Sequence, residues 1–161
     1  MTIAEITTKM IAYSEGSLHD INHFLKVYAY VKTIGECEKL NEETQKILEV
    51  TALLHDIACP LCREKYGNTY GPIQEKEGAL LAAEFLKGNG FSQKFINRVV
   101  FLVGHHHTLD AVDGPDYQIL LEADYLVNAD ENNHSKEQIE TMLKNVFKTK
   151  TGISLLKSIY L

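Results

Sequence analysis

Six of the seven histidines fall in three clusters: His19 with His23, His55 alone, and the run His105-His106-His107. The richest context is Leu53-Leu54-His55-Asp56-Ile57. Adjacent side chains on a helix diverge by about 100°, so His55 and Asp56 cannot both face solvent while Leu53, Leu54 and Ile57 all face a core. At least one is drawn inward. An unpaired buried carboxylate is costly, and no lysine or arginine stands between Leu48 and Leu61 to compensate it. A metal ion would satisfy both groups. Asp124 lies in an equally apolar stretch, four residues after Leu120 and three before Val127, which places it on the core-facing stripe. His23 sits at a similar angle to Val27 and Tyr30 and completes a set of two imidazoles and two carboxylates.

Helices must position these groups. Asn41 caps a helix expected to run to about Ala58, with Ile47, Val50, Leu53, Leu54 and Ile57 on one face. Ser92 caps another, with Phe95, Ile96, Val99, Val100 and Val103 inward and a stop near Gly104. Ser135-Lys136-Glu137-Gln138 has capping-box spacing before Ile139, Met142, Leu143 and Val146. Further helices are expected around 3–14, 19–39, 74–88, 116–129 and 152–159. Pro60, the stretch Tyr66 to Pro72, Gly88 with Gly90, and Asp113-Gly114-Pro115 punctuate them. The fold class expected is all-α: one compact bundle of about seven or eight helices, a single domain over residues 1–161.

His23, the His55-Asp56 doublet and Asp124, in that order on an all-α chain, resemble the HD-domain superfamily of metal-dependent phosphohydrolases, named for the doublet. The resemblance spans roughly His19 to Asp130. Gln74-Glu75-Lys76-Glu77-Gly78, Gly104-His105-His106-His107-Thr108 and Glu122-Ala123-Asp124-Tyr125-Leu126-Val127 look like small stand-alone bacterial HD proteins. The resemblance implies a phosphohydrolase in which His23, His55, Asp56 and Asp124 hold one divalent ion and a metal-activated water attacks phosphorus. Such a ligand set leaves about two of six octahedral positions open, and its mixed nitrogen and oxygen donors favour manganese, iron, cobalt, nickel or zinc over magnesium.

The implied catalytic side adds Asp56 itself, Lys26, His105 or His106, and Glu77, with Lys76 nearby; His107 reads as plain surface. Lys26 stands where many members carry arginine, which loses bidentate phosphate geometry. Ala58 and Cys59 follow Ile57 where many have glycine and a basic residue. Gln74 stands where two-metal members offer a histidine, so a single ion is expected, and oxidative di-iron chemistry is disfavoured. Cys59-Pro60-Leu61-Cys62 lacks a second cysteine pair and reads as loop packing.

Composition restricts the partners. Sixteen basic against 22 acidic residues give a net charge of −6, and the densest basic stretch, Lys144 to Lys150, holds three lysines. A nucleic-acid polymer is therefore not expected; a small phosphorylated molecule is, either a nucleotide or another phosphomonoester. The competing class is a sensor module that binds nucleotide and metal without turnover. The start Met1 to Ile6 lacks a signal-peptide pattern, the longest apolar run, Val99 to Gly104, is too short for a bilayer, and three cysteines suit a reducing cytoplasm. The oligomeric state stays open, a homodimer included.

Overall fold

Side-chain caps start five of the helices, each by the local chemistry of Ser, Thr or Asn accepting a backbone N–H. Thr2 and Ser135 form full capping boxes with Glu5 and Gln138, while Asn41, Ser92 and Thr149 cap through one bond each. The computed structural model describes residues 1–161 as nine α-helices without a strand. They are α1 (Ile3–Tyr13), α2 (Leu18–Cys37), α3 (Glu42–Leu54), α4 (Cys59–Tyr66), α5 (Gly71–Leu86), α6 (Gln93–Val103), α7 (Pro115–Glu131), α8 (Lys136–Asn145) and α9 (Lys150–Tyr160). No helix is long and apolar enough to cross a membrane.

The helix expected from Asn41 to Ala58 ends early, at Leu54. The chain then tightens: Ile57 N–H donates to Leu54 C=O and Cys59 N–H to Asp56 C=O, both at 2.9 Å. Pro60 falls in the first turn of a new helix, α4, where its missing N–H costs nothing. Pro60 therefore begins an element rather than ending one, which accounts for the ninth helix. The His55-Asp56 doublet lies in the turn between α3 and α4, so neighbouring residues can aim at one point.

One continuous core joins the helices. α2 contributes Phe24, Val27, Val31 and Ile34, and α3 is buried from Ile47 to Leu54. α7 packs on both and is enclosed almost all the way round from Asp116 to Ala129. Such a central helix can carry polar side chains only where something answers them. Glu122, wholly buried, accepts from Thr149 Oγ1 at 2.7 Å and from its backbone N–H at 3.3 Å, anchoring the start of α9 to α7. Burial raises its pKa.

The segment between α6 and α7, which carries the three histidines, is tied at several points. The Arg98 guanidinium holds Asp113 (2.7 and 2.9 Å) and Asp116 (2.7 and 2.8 Å) at once. Tyr117 Oη reaches the carbonyl oxygens of His105 and Thr108, and Glu75 accepts from His107 N–H at 2.9 Å and Thr108 Oγ1 at 2.8 Å.

Candidate metal centre

Four donors meet where α2, the α3–α4 turn and α7 converge. His23 Nε2 lies 3.1 Å from His55 Nε2, 3.1 Å from Asp124 Oδ1 and 3.2 Å from Asp56 Oδ2. His55 Nε2 lies 3.5 Å from Asp56 Oδ2 and 3.4 Å from Asp124 Oδ1. Adjacent donors around one divalent ion with bonds of ~2.1 Å stand about 3 Å apart, so the spacing suits a cation between them. All four expected ligands are brought together.

The far nitrogen of each ring fixes its tautomer. His55 Nδ1 lies 2.7 Å from the Ala52 carbonyl, which can only accept, so Nδ1–H donates and Nε2 turns a lone pair to the centre. His23 Nδ1–H donates to Glu131 Oε2 at 2.9 Å, a carboxylate behind the imidazole that holds the ring and raises its basicity. The nest favours positive charge. Burial opposes protonation of His23, but the hydrogen bond its Nε2–H donates to Asp124 and the charges of Asp56, Asp124 and Glu131 outweigh it and raise its pKa to about 10. Burial likewise opposes ionisation of Asp56 and Asp124, yet the surrounding imidazoles hold both below the ordinary carboxylate range.

Asp56 faces two ways. Its Oδ2 is one of the four donors, while Oδ1 lies 3.3 Å from His106 Nε2. His106 Nδ1–H donates to Val103 C=O at 2.7 Å, which leaves Nε2 an acceptor lone pair that no hydrogen-bond donor meets, deep in the protein. Asp56, His106 and His107 offer ligand atoms within 4.8 Å of one another. Gln74 does not act as a ligand here: its Nε2 donates to Thr69 C=O at 2.6 Å and its Oε1 accepts from His107 Nε2–H at 3.0 Å, so it aims the His107 ring. Gly71 backs that ring, and a Cβ there would come within 3.1 Å of it.

Beside the donors opens a cavity of about 420 Å³, into which His23, Asp56 and Asp124 project. The remaining sequence expectations are corrected. Lys26 lines a separate groove with Leu126 and Asp130, away from the four donors. His105 is not on the cavity wall; its Nδ1–H donates to Phe101 C=O at 2.7 Å and its ring stacks on Phe101. His106 is enclosed behind Asp56 rather than facing substrate. Glu77 is taken by Tyr66 Oη at 2.6 Å and Lys65 Nζ at 3.3 Å. His107, expected at plain surface, lines the cavity.

The cation on the cavity wall is Arg63 of α4, paired with Asp20 through its two terminal guanidinium nitrogens. Neither Arg63 nor Glu131 emerges from sequence reasoning. Glu131 sits among Asp130, Asn132 and Asn133 and looks like a solvated helix end; a weak signal was its place seven residues beyond Asp124, on the same helical face. Cys59 lines the cavity as a buried thiol whose pKa is pushed up by burial and then by Asp56.

The family model described as HD domain matches residues 20–145. A solved structure, a predicted HD superfamily hydrolase from an uncultured Thermotogales bacterium, is similar to the chain with a TM-score of 0.70. The two are 25% identical, over 98% of this chain and 83% of that one. No curated protein matches the sequence.

Proposed function

The chain belongs to the HD-domain family, a superfamily of metal-dependent hydrolases, and from that premise we propose that it hydrolyses a small phosphomonoester at the centre formed by His23, His55, Asp56 and Asp124. The observation that carries the reading is the convergence of four donors at 3.1 to 3.5 Å with both distal imidazole nitrogens fixed by acceptors. A divalent ion held there supplies Lewis acidity toward a phosphoryl oxygen and lowers the pKa of a nearby water.

The side chains divide the remaining work. Asp56 and Asp124 balance the positive charge of the ion, and Glu131 and the Ala52 carbonyl hold the two imidazoles in their donating orientation. Arg63 offers a guanidinium on the cavity wall to a phosphate, the role expected of Lys26 in the sequence. Its angle is set by Asp20. The volume of about 420 Å³ suits a small molecule.

A second reading, in which two cations share Asp56, is favoured by one observation: the unpartnered His106 Nε2 beside Asp56 Oδ1. The residues offered to the second ion are then Asp56, His106 and His107.

Elemental analysis of the purified protein, paired with p-nitrophenyl phosphate turnover in manganese, cobalt or nickel after chelation, tests both points. Metal-restored turnover supports the phosphohydrolase reading, and one or two ions per chain decides between the two centres. Stoichiometric metal without turnover of any phosphomonoester would reject it in favour of a metal-binding sensor.

A further inference from the structure

The cavity extends well beyond the ligands, and its outer half has a chemical character of its own. α7 presents Asp124, then Asn128 one turn on, then Glu131, with Asn132 capping the helix, a polar stripe reaching about 12 Å from the ligand aspartate. His134 continues it, its Nδ1 sharing a hydrogen bond of 3.0 Å with Tyr125 Oη. The carboxamides of Asn128 and Asn132 bond to no protein group, and both residues line the cavity. Each offers two donors and an acceptor, the complement of hydroxyl groups, which both donate and accept.

What the wall lacks is as telling. Only Cys59 and Tyr125 among its residues are hydrophobic, and the Tyr125 ring packs on Phe147 and His134. Two nearby tyrosines do not line the cavity: Tyr66, at the end of α4, is bound to Glu77, and Tyr70 is exposed ahead of α5. The two outer acids, Glu131 and Asp20, are already answered within the protein, by His23 and Arg63.

We propose that Asn128, Asn132 and His134 form a subsite for the hydroxyl groups of a sugar or polyol, making sugar and polyol monophosphates the preferred substrates. This rests on the phosphomonoesterase reading. Asn128 and Asn132 are specificity determinants under it, because a polar group left without its hydroxyl partner in the complex loses binding that an aryl or alkyl ester never had.

The test compares kcat/KM for hexose and pentitol monophosphates, nucleoside 5′-monophosphates and p-nitrophenyl phosphate, on wild type and on Asn128→Leu and Asn132→Leu. The sugar and polyol esters are expected to lead in wild type. In either variant the ratio of their kcat/KM to that of p-nitrophenyl phosphate should fall about 10- to 100-fold. Since neither carboxamide bonds to the protein, folding is expected to survive, and an unchanged circular dichroism melt checks it. Nucleoside monophosphates ahead of the sugar esters, or ratios unmoved by both variants, overturn the subsite while leaving the phosphomonoesterase intact. No metal-dependent turnover of any ester, p-nitrophenyl phosphate included, removes the earlier reading and the subsite with it.

Discussion

Replacing Glu131 by leucine removes the one carboxylate that grips a candidate ligand from behind. The bond is short, 2.9 Å from His23 Nδ1, and the Glu131 side chain is only 13% exposed, so water screens it weakly. A charge-assisted hydrogen bond in such a setting contributes about 1.5–3 kcal/mol. Loss of an equivalent partner behind a metal-bound histidine weakens metal binding about 10- to 100-fold, or about 1.4–2.8 kcal/mol, so two independent routes agree. The freed imidazole can also adopt the other tautomer and turn its lone pair away. Glu131→Gln keeps a neutral acceptor and should lose about half that free energy. Competition of manganese or cobalt between the protein and a chromophoric chelator reads the affinity directly, with a melt of the chelated protein as the check on folding. A leucine variant that binds metal as tightly as wild type would refute the assignment of Glu131 to the centre.

Asp56→Ala should reduce bound metal to background in elemental analysis and abolish metal-dependent turnover with it, since Asp56 is the acid that faces both donor groups; retained metal would show that it is no ligand. Metal affinity should climb by about tenfold per pH unit toward pH 10, because the ion must displace a proton from His23, whose pKa is raised from 6.5 to about 10. The sign reverses for the chelated protein: the stability contributed by protonated His23 is complete below pH 6.5 and is lost as pH rises through about 10, and melts across that range would expose a flat or opposite trend. Gly152→Ala puts a Cβ within 2.0 Å of Glu122 Oε1 and 2.7 Å of Thr149 Oγ1; with Glu122 fixed on both sides, the strain should cost about 1–3 kcal/mol and lower Tm by several degrees.

The ligand aspartates and histidines were legible because each interrupts an apolar face, and a polar side chain enclosed by leucine and valine has few ways to be satisfied. The same reasoning reached His55 and Asp56 through a continuous helix that does not exist. The two can converge because the chain leaves α3 at Leu54 and turns. Arg63 was hidden for a related reason, since Pro60 reads as a breaker when it is the first turn of α4. Lys26, His105 and Glu77 show the limit of nearness in sequence: each is a few residues from a group in the site, yet helical rotation or a closer partner takes it out of reach. Glu131 gave almost nothing away, because a carboxylate at a polar helix end looks the same whether or not an imidazole comes to meet it.

The fastening of the segment between α6 and α7 by Arg98, Tyr117 and Glu75 decides when its disorder is lost. Ordering a backbone costs about 1–2 kcal/mol per residue, and here that loss is taken as the chain folds, before any ligand arrives. None of it is subtracted from affinity later, so His107 meets whatever enters already in place, with His106 held behind Asp56.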